Sequence, residues 1–102
     1  MGRAEQLRTF IEAQPDEPFP RYALALELKG QGDAQAAAAQ LEELLRRKPD
    51  YLAAYLQLGM LLQVLEKKQE AAAALRKGQD VARARGNQHT FSELTAALEQ
   101  LG

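Results

Sequence analysis

Similar residues recur along this chain at a constant interval of 34. The recurring positions are Leu7, Leu41 and Leu75; Leu24 and Leu58; Leu28 and Leu62; Ala37 and Ala71; and the dipeptides Pro15-Asp16 and Pro49-Asp50. A fixed period in this range indicates an array of structural repeats, each of which buries its apolar side against its neighbours. The clearest copy is the apolar stretch 49–62, which contains Gly59. We therefore expect the chain to fold as a stack of similar units.

Each unit reads as a pair of helices. Apolar residues lie three and four positions apart in six segments, which predicts helices at about 3–14, 18–29, 34–47, 51–65, 69–85 and 89–100. Gly30-Gln31-Gly32 and Gly86 are expected to end two of these helices, and Asp33 to cap the helix that follows it. Thr90 and Glu93 have the spacing of a capping box, which predicts the start of the last helix there. No segment alternates apolar and polar residues with β-branched side chains, so we predict no strands.

The residues that carry the repeat resemble those of a known family. The second copy reads Tyr55-x₂-Leu58-Gly59-x₂-Leu62 and then Ala71-x₃-Leu75, and the first reads Arg21-x₂-Leu24-Ala25-x₂-Leu28, then Ala37-x₃-Leu41 and Pro49. This pattern is similar to the tetratricopeptide repeat, and the resemblance covers about residues 3–85. Arg21 replaces the aromatic residue, Ala25 the glycine and Arg83 the closing proline of that pattern. The run at 18–25 also resembles small bacterial proteins with two such repeats and a terminal helix.

The resemblance implies an all-α fold, a short right-handed solenoid of about six helices arranged as helical hairpins. A single domain, 1–102, would contain a half-repeat helix at 3–15, repeats at 18–51 and 52–85, and a capping helix at 86–102. Arg3 stands where the half-repeat would need a small residue. Leu94, Leu98 and Leu101 fall outside the 34-residue register, so we expect the last helix to be a cap and not a third repeat.

Small residues are predicted where the two helices of a hairpin cross. Gly59 and Ala71 are suited to this crossing in one repeat, and Ala25 and Ala37 in the other. Each hairpin alone leaves apolar surface exposed, so hairpins must stack and the ends of the stack need caps.

Composition and motifs argue against several classes of function. The 13 basic and 14 acidic residues nearly cancel, so a dedicated nucleic-acid or anionic-membrane surface is not expected. There is no cysteine, and His89 is the single histidine, so we expect no metal site, no cofactor and no enzyme activity. Gly30-Gln31-Gly32 follows a helix and lacks the third glycine of a dinucleotide loop. The start of the chain has no apolar run typical of a signal peptide, and we expect a soluble, cytoplasmic protein.

The resemblance also implies a concave surface lined by the first helix of each repeat. The positions that would face it, which we call the groove face, are Phe19, Tyr22, Leu26, Lys29, Leu56, Met60, Gln63 and Val64. We expect a non-catalytic protein–protein interaction module that binds a partner helix or peptide on this mostly apolar face. Two alternatives stay open. The same face could join copies of the chain into a homo-oligomer, or the C-terminal helix could fold over it as core.

Overall fold

Six helices make up the computed structural model, which describes residues 2–102. They are α1 (Arg3–Ala13), α2 (Pro18–Gly30), α3 (Ala34–Arg47), α4 (Leu52–Val64), α5 (Lys68–Ala84) and α6 (Gln88–Leu101). Each helix lies within about a residue of its predicted bounds, and no strand occurs in the described part of the chain. The predicted all-α solenoid is therefore confirmed.

The helices stack in chain order. Each helix packs against the next one, and α6 packs against α4 as well as α5. One buried cluster joins α2, α3 and α4 around Leu24, Leu41 and Leu58. A second cluster joins α4, α5 and α6 around Tyr55 and Leu94. The core thus runs the length of the stack, because every inner helix buries residues against both of its neighbours.

Three helices that lead into another helix, α2, α4 and α5, end in the same backbone conformation. Residues Gly32, Glu66 and Gly86 follow α2, α4 and α5 with φ values of +85°, +62° and +68°. In each case the next amide donates to a carbonyl five residues earlier, as Asp33 does to Leu28 at 2.9 Å. These are Schellman closures, in which a left-handed residue turns the chain sharply out of the helix. Glycine adopts this conformation at little cost, whereas Glu66 carries a side chain there.

The sequence analysis predicted the caps of α3 and α6, and the first of these two predictions is correct. The Asp33 carboxylate accepts from the Ala36 amide at 3.0 Å, so the predicted cap of α3 is confirmed. The predicted capping box at Thr90 is wrong, because α6 begins earlier, at Gln88. The Asn87 side chain accepts instead from the Thr90 amide at 3.0 Å. Since Gly86 already turns the chain, the next residue is the first that can cap the new helix.

Two glycines allow close contacts in the second hairpin and beyond it. A Cβ atom on Gly59 would lie 2.4 Å from the Leu75 side chain, so the glycine is required at the crossing of α4 and α5. Its close neighbour is Leu75 and not the predicted Ala71, which is nevertheless fully buried. A Cβ on Gly78 would lie 2.7 Å from Tyr55 Cβ and 3.0 Å from Leu94. Gly78 therefore lets α5 approach both α4 and α6, a contact that the sequence analysis did not predict.

In each hairpin, a side chain of the first helix donates a hydrogen bond to the proline carbonyl of the preceding turn. The Tyr55 hydroxyl donates to the carbonyl of Pro49. In the first hairpin Arg21 takes the place of Tyr55, and its Nη2 donates to the carbonyl of Pro15 at 3.3 Å. The missing aromatic residue is thus replaced by a side chain that reaches the equivalent acceptor. Arg21 Nε, however, is buried without a hydrogen-bond partner among the described residues.

Candidate functional site

The groove face lies on one side of α2 and the corresponding side of α4. Helical geometry places residues three, four and seven positions apart on a common side, which brings Phe19, Tyr22 and Leu26 together on α2. The opposite side of α2 carries Leu24 and Leu28, which are buried in the core. The division is repeated on α4, whose groove side carries Leu56, Met60, Gln63 and Val64 and whose core side carries Leu58 and Leu62.

None of the eight residues of the groove face is buried. Four of its apolar side chains are exposed, with exposed fractions of 62% for Phe19, 39% for Leu26, 38% for Met60 and 70% for Val64. Tyr22 and Leu56 are half-buried, and Lys29 and Gln63 are exposed. Within residues 2–102, most of the exposed large apolar side chains belong to this face, and Phe10 on α1 is the other.

Two contacts join α2 to α4 along the groove face. Lys29 Nζ donates to Gln57 Oε1 at 3.1 Å, near the C-terminal end of α2. The rings of Tyr22 and Tyr51 pack at a tilt of 47° with their centroids 5.5 Å apart. Burial raises the pKa of the Tyr51 hydroxyl, and Tyr22 adds to this effect. The Tyr22 ring therefore supports the start of α4 in addition to facing the groove, so it is less exposed than Phe19.

Helix α6 packs beside the groove face and does not cover it. Its buried residue Leu94 contacts Gly78, and Phe91, Leu98 and Leu101 pack around the same cluster. Of the groove face, Leu56 alone packs against this cluster. The open side chains of Phe19, Met60 and Val64 show that this face is not part of the core.

Helix α6 follows α4 in the order of the repeats, but at a shifted interval. Helix α6 begins 36 residues after α4, in the same order as α4 follows α2 by 34. With this interval, Phe91, Leu94 and Leu98 align with Tyr55, Leu58 and Leu62. The residues that then align with the groove side of α4 are the exposed, mostly polar Ser92, Ala96, Glu99 and Gln100. A search that allowed a shifted interval could have found them from the spacing of Phe91, Leu94 and Leu98.

A cleft of about 540 Å³ lies at the end of the groove where α2, α4 and α6 begin. Pro18 of α2 and the exposed Ala53 of α4 line it, which connects it to the groove face. The cations Lys48 and Arg85 line it together with Asp50. The sequence analysis did not predict this cleft, since it depends on how the turns between helices are brought together.

Residues 2–102 contain no group of three or more His, Cys, Asp or Glu side chains placed to hold a metal ion. His89 is exposed, and its Nε2 lies 3.7 Å from a Glu93 carboxylate oxygen on the same helix. In the described part of the chain, no helix has the length and apolar character needed to cross a bilayer.

Comparisons with known proteins agree on one family. The family profile for the tetratricopeptide repeat matches residues 2–78. The crystal structure of a tetratricopeptide repeat domain protein from Salinibacter ruber is 39% identical, with a TM-score of 0.79, and the match covers 83% of this chain and 96% of that one. A protein from Bordetella parapertussis is 27% identical, with a TM-score of 0.83 and coverage of 99% and 88%. A comparison with curated proteins found no match.

A more distant structure shares the fold alone. The TPR2B domain of yeast Sti1, solved in a complex with pHsp70, is 13% identical to this chain. Its TM-score is 0.73, and the match covers 91% of this chain and 80% of that domain.

Proposed function

This chain belongs to the tetratricopeptide repeat family, and we propose that it is a non-catalytic interaction module that binds a partner helix or peptide on its groove face. Proteins with this fold generally mediate protein–protein interactions. The TPR2B domain of Sti1, which was solved in a complex with pHsp70, supports binding of a protein partner as the general role of such a fold.

The observation that carries the proposal is the open apolar surface of α2 and α4. Helix α4 is apolar on nearly every side, with two glutamines among its 13 residues. Helices of this kind are ordinarily covered all round, yet Met60 and Val64 remain exposed. A contiguous apolar patch on a protein surface marks an interaction site, because leaving it in water is unfavourable. A partner that covers the patch removes this apolar area from water.

Selection of peptides from a random displayed library tests the proposal. The wild-type chain is compared with the double variant Phe19→Glu/Met60→Lys, which places opposite charges on α2 and α4 of the groove face. We expect the wild-type chain to enrich a family of related sequences and the variant to lose them. Because both side chains are substantially exposed, the melting temperature of the variant should stay close to that of the wild type.

The matched control places the same two charges on the outer side of the stack. Ala39→Glu/Ala73→Lys changes exposed positions of α3 and α5 that lie 34 residues apart. This control should enrich the same peptides as the wild type. If the groove-face variant enriched them equally well, the binding site would lie elsewhere.

Self-association through the same face is the second candidate, because an exposed apolar face can also be covered by a second copy. Sedimentation of the wild type at increasing concentration detects this directly. A dimer that Phe19→Glu/Met60→Lys dissociates, and that the outer-face control does not, would identify the groove face as a homo-oligomer interface.

A further inference from the structure

We infer that the groove face accepts an amphipathic α-helix with carboxylates near both of its ends, in preference to an extended peptide. This inference rests on the proposed function and specifies the conformation and charge of the partner. Three features carry it: the scarcity of polar groups on the face, the arrangement of its apolar side chains, and the charges at its two ends.

The groove face has few partners to offer an extended backbone. Its walls are the helices α2 and α4, whose main-chain groups are used within the helices themselves. The polar side chains on the face are Tyr22, Lys29 and Gln63, and Lys29 already donates to Gln57. An extended peptide lying on this face would leave without partners the amides and carbonyls that it buries against the apolar side chains, which is unfavourable. In a helix the backbone amides and carbonyls are paired with one another, so a helix can lie against apolar side chains without losing hydrogen bonds.

The apolar side chains form two ridges of matching length. Leu56, Met60 and Val64 are spaced by four residues along α4, and Phe19 and Leu26 lie a whole two turns apart on α2. A helix of 13 residues, such as α4, is roughly 20 Å long. A partner helix of three to four turns therefore matches the length of the face. Side chains spaced by four residues form ridges that receive the side chains of another helix between them.

The charges at the two ends of the groove favour an acidic partner. Among the eight residues of the groove face Lys29 is the charged one, and it lies in the last turn of α2. Glu99, which aligns with Gln63, lies on the neighbouring helix α6. Lys48 and Arg85 line the cleft at the opposite end, where Asp50 is the one acidic residue. None of these three cations forms an ion pair within residues 2–102. Complementary charges at both ends of a partner helix would therefore set its position along the groove.

Two synthetic peptides of identical composition distinguish a helical partner from an extended one. The helical peptide carries leucines three and four positions apart, with glutamates at both ends, and the extended peptide carries the same leucines at alternate positions. Binding to the wild-type chain is measured by fluorescence anisotropy, and helix formation by circular dichroism. We expect the helical peptide to bind and to gain helical signal on binding, and the extended peptide to bind at least tenfold more weakly.

Charge reversal tests the orientation of the carboxylates. Lys29→Glu should weaken binding of the helical peptide by about fivefold at low salt, an effect typical of an exposed ion pair. The effect should shrink as salt is added. A version of the peptide with lysines in place of the glutamates near α2's last turn should recover affinity for Lys29→Glu and not for the wild type. A loss of affinity caused only by damage to the fold would not show this recovery.

Three results would contradict the inference, and each points to a different occupant of the groove face. If the extended peptide binds as tightly as the helical one and without a helical signal, the partner is extended, and the proposed function itself is unaffected. If neither peptide binds and the wild type forms a dimer that Met60→Lys dissociates, the occupant is a second copy. If neither binds to a monomer, an acid-flanked helix is not the ligand. The library selection then decides separately whether the face binds peptides at all.

Discussion

The hairpin α2–α3 and the hairpin α4–α5 have the same architecture, but their cores are packed by different residues at equivalent positions. Leu44 of α3 is almost fully buried, whereas the equivalent residue of α5 is Gly78. In the first hairpin the larger side chain, Leu44, fills space in the same buried cluster as the small Ala25. In the second hairpin Tyr55 fills that space instead, so α5 needs a glycine to pass it. The difference teaches that the two hairpins fill the same region of the repeat from different helices, by Leu44 of α3 in one and by Tyr55 of α4 in the other.

Phe10 extends this comparison to the first helix. It lies 34 residues before Leu44 and 68 before Gly78, yet 51% of its side chain is exposed. Gly78 lies between Tyr55 of α4 and Leu94 of α6, so it has a helix on either side. In the described structure Phe10 has only α2 beside it, since α1 is the first helix of the stack. The same position is thus core within the stack and surface at its end.

Of the equivalent residues Leu44 and Gly78, Leu44 is the larger, and truncating it should have the largest effect on stability. Leu44→Gly leaves a cavity where the first hairpin has no aromatic residue to fill it, and it also adds a glycine inside α3. The two effects together should lower the free energy of unfolding by about 4 kcal/mol. Urea denaturation at equilibrium measures the loss. A change below about 1 kcal/mol would show that the first hairpin does not depend on Leu44 for its volume.

Adding a single methyl group to Gly78 should have the next largest effect on stability. Gly78→Ala places a Cβ 2.7 Å from Tyr55 Cβ, which neither helix can avoid without moving. We expect a loss of about 2 kcal/mol. Gly30→Ala is the matched control, because its Cβ would meet nothing within 4 Å. That substitution should stabilise the chain by up to about 1 kcal/mol through helix propensity. Equal effects of the two changes would contradict the close approach at Gly78.

Transplanting the aromatic residue into the first hairpin should destabilise it. Arg21→Tyr introduces a ring where the first hairpin has Leu44 and not the glycine that lets α5 pass Tyr55. We expect overpacking to lower the free energy of unfolding by about 1 kcal/mol, partly offset by the removal of Arg21 Nε, which is buried without a hydrogen-bond partner among the described residues. Thermal and urea denaturation measure it. A gain in stability would mean that the first hairpin has room for the ring beside Leu44, and that the two hairpins do not differ in the space at that position.

The turns between the helices of each hairpin offer a smaller and reciprocal test. Gly32 and Glu66 are equivalent, and both adopt positive φ. Glu66→Gly should stabilise the chain by about 0.5–1 kcal/mol, because the left-handed conformation disfavours a side chain. Gly32→Ala should destabilise it by a similar amount, since nothing lies within 4 Å to clash and only the backbone conformation matters. If both substitutions were neutral, the two turns would tolerate side chains equally.

An ion-pair cluster that only the first hairpin contains should add a modest dependence on pH. Hydrogen bonds from Arg46 and then Arg47 hold the pKa of Glu43 at about 2, below its ordinary value of 4.5. Since the pKa is lower in the folded state, this contribution is present above pH 4.5 and is lost as the pH falls towards 2. Glu43→Gln should make stability flatter across this range, and Lys77→Gln at the equivalent position of α5 should not. Urea denaturation between pH 2 and 6 provides the measurement.

The groove face shows how far the family resemblance predicts the candidate site. The resemblance places the eight positions on one side of α2 and α4, and all eight lie outside the core. Which of them are partly covered was not predictable from spacing. Tyr22 packs against Tyr51 and Leu56 against the α6 cluster, contacts that depend on turns and on a neighbouring helix. Their roles as binding residues remain predictions that the groove-face variants test.

By itself, the sequence determined the helices, their order and the sides of α2 and α4 that become core, because these follow from residue spacing, glycines and caps that act within a few positions. Only the tertiary structure decided the contacts between distant residues. The approach of Gly78 to Tyr55 and Leu94 depends on where three helices meet. The place of α6 depends on a turn closed by Gly86 and Asn87, which shifts the interval from 34 to 36. Periodicity describes one helix at a time, whereas packing depends on the sum of the side-chain volumes that meet between helices.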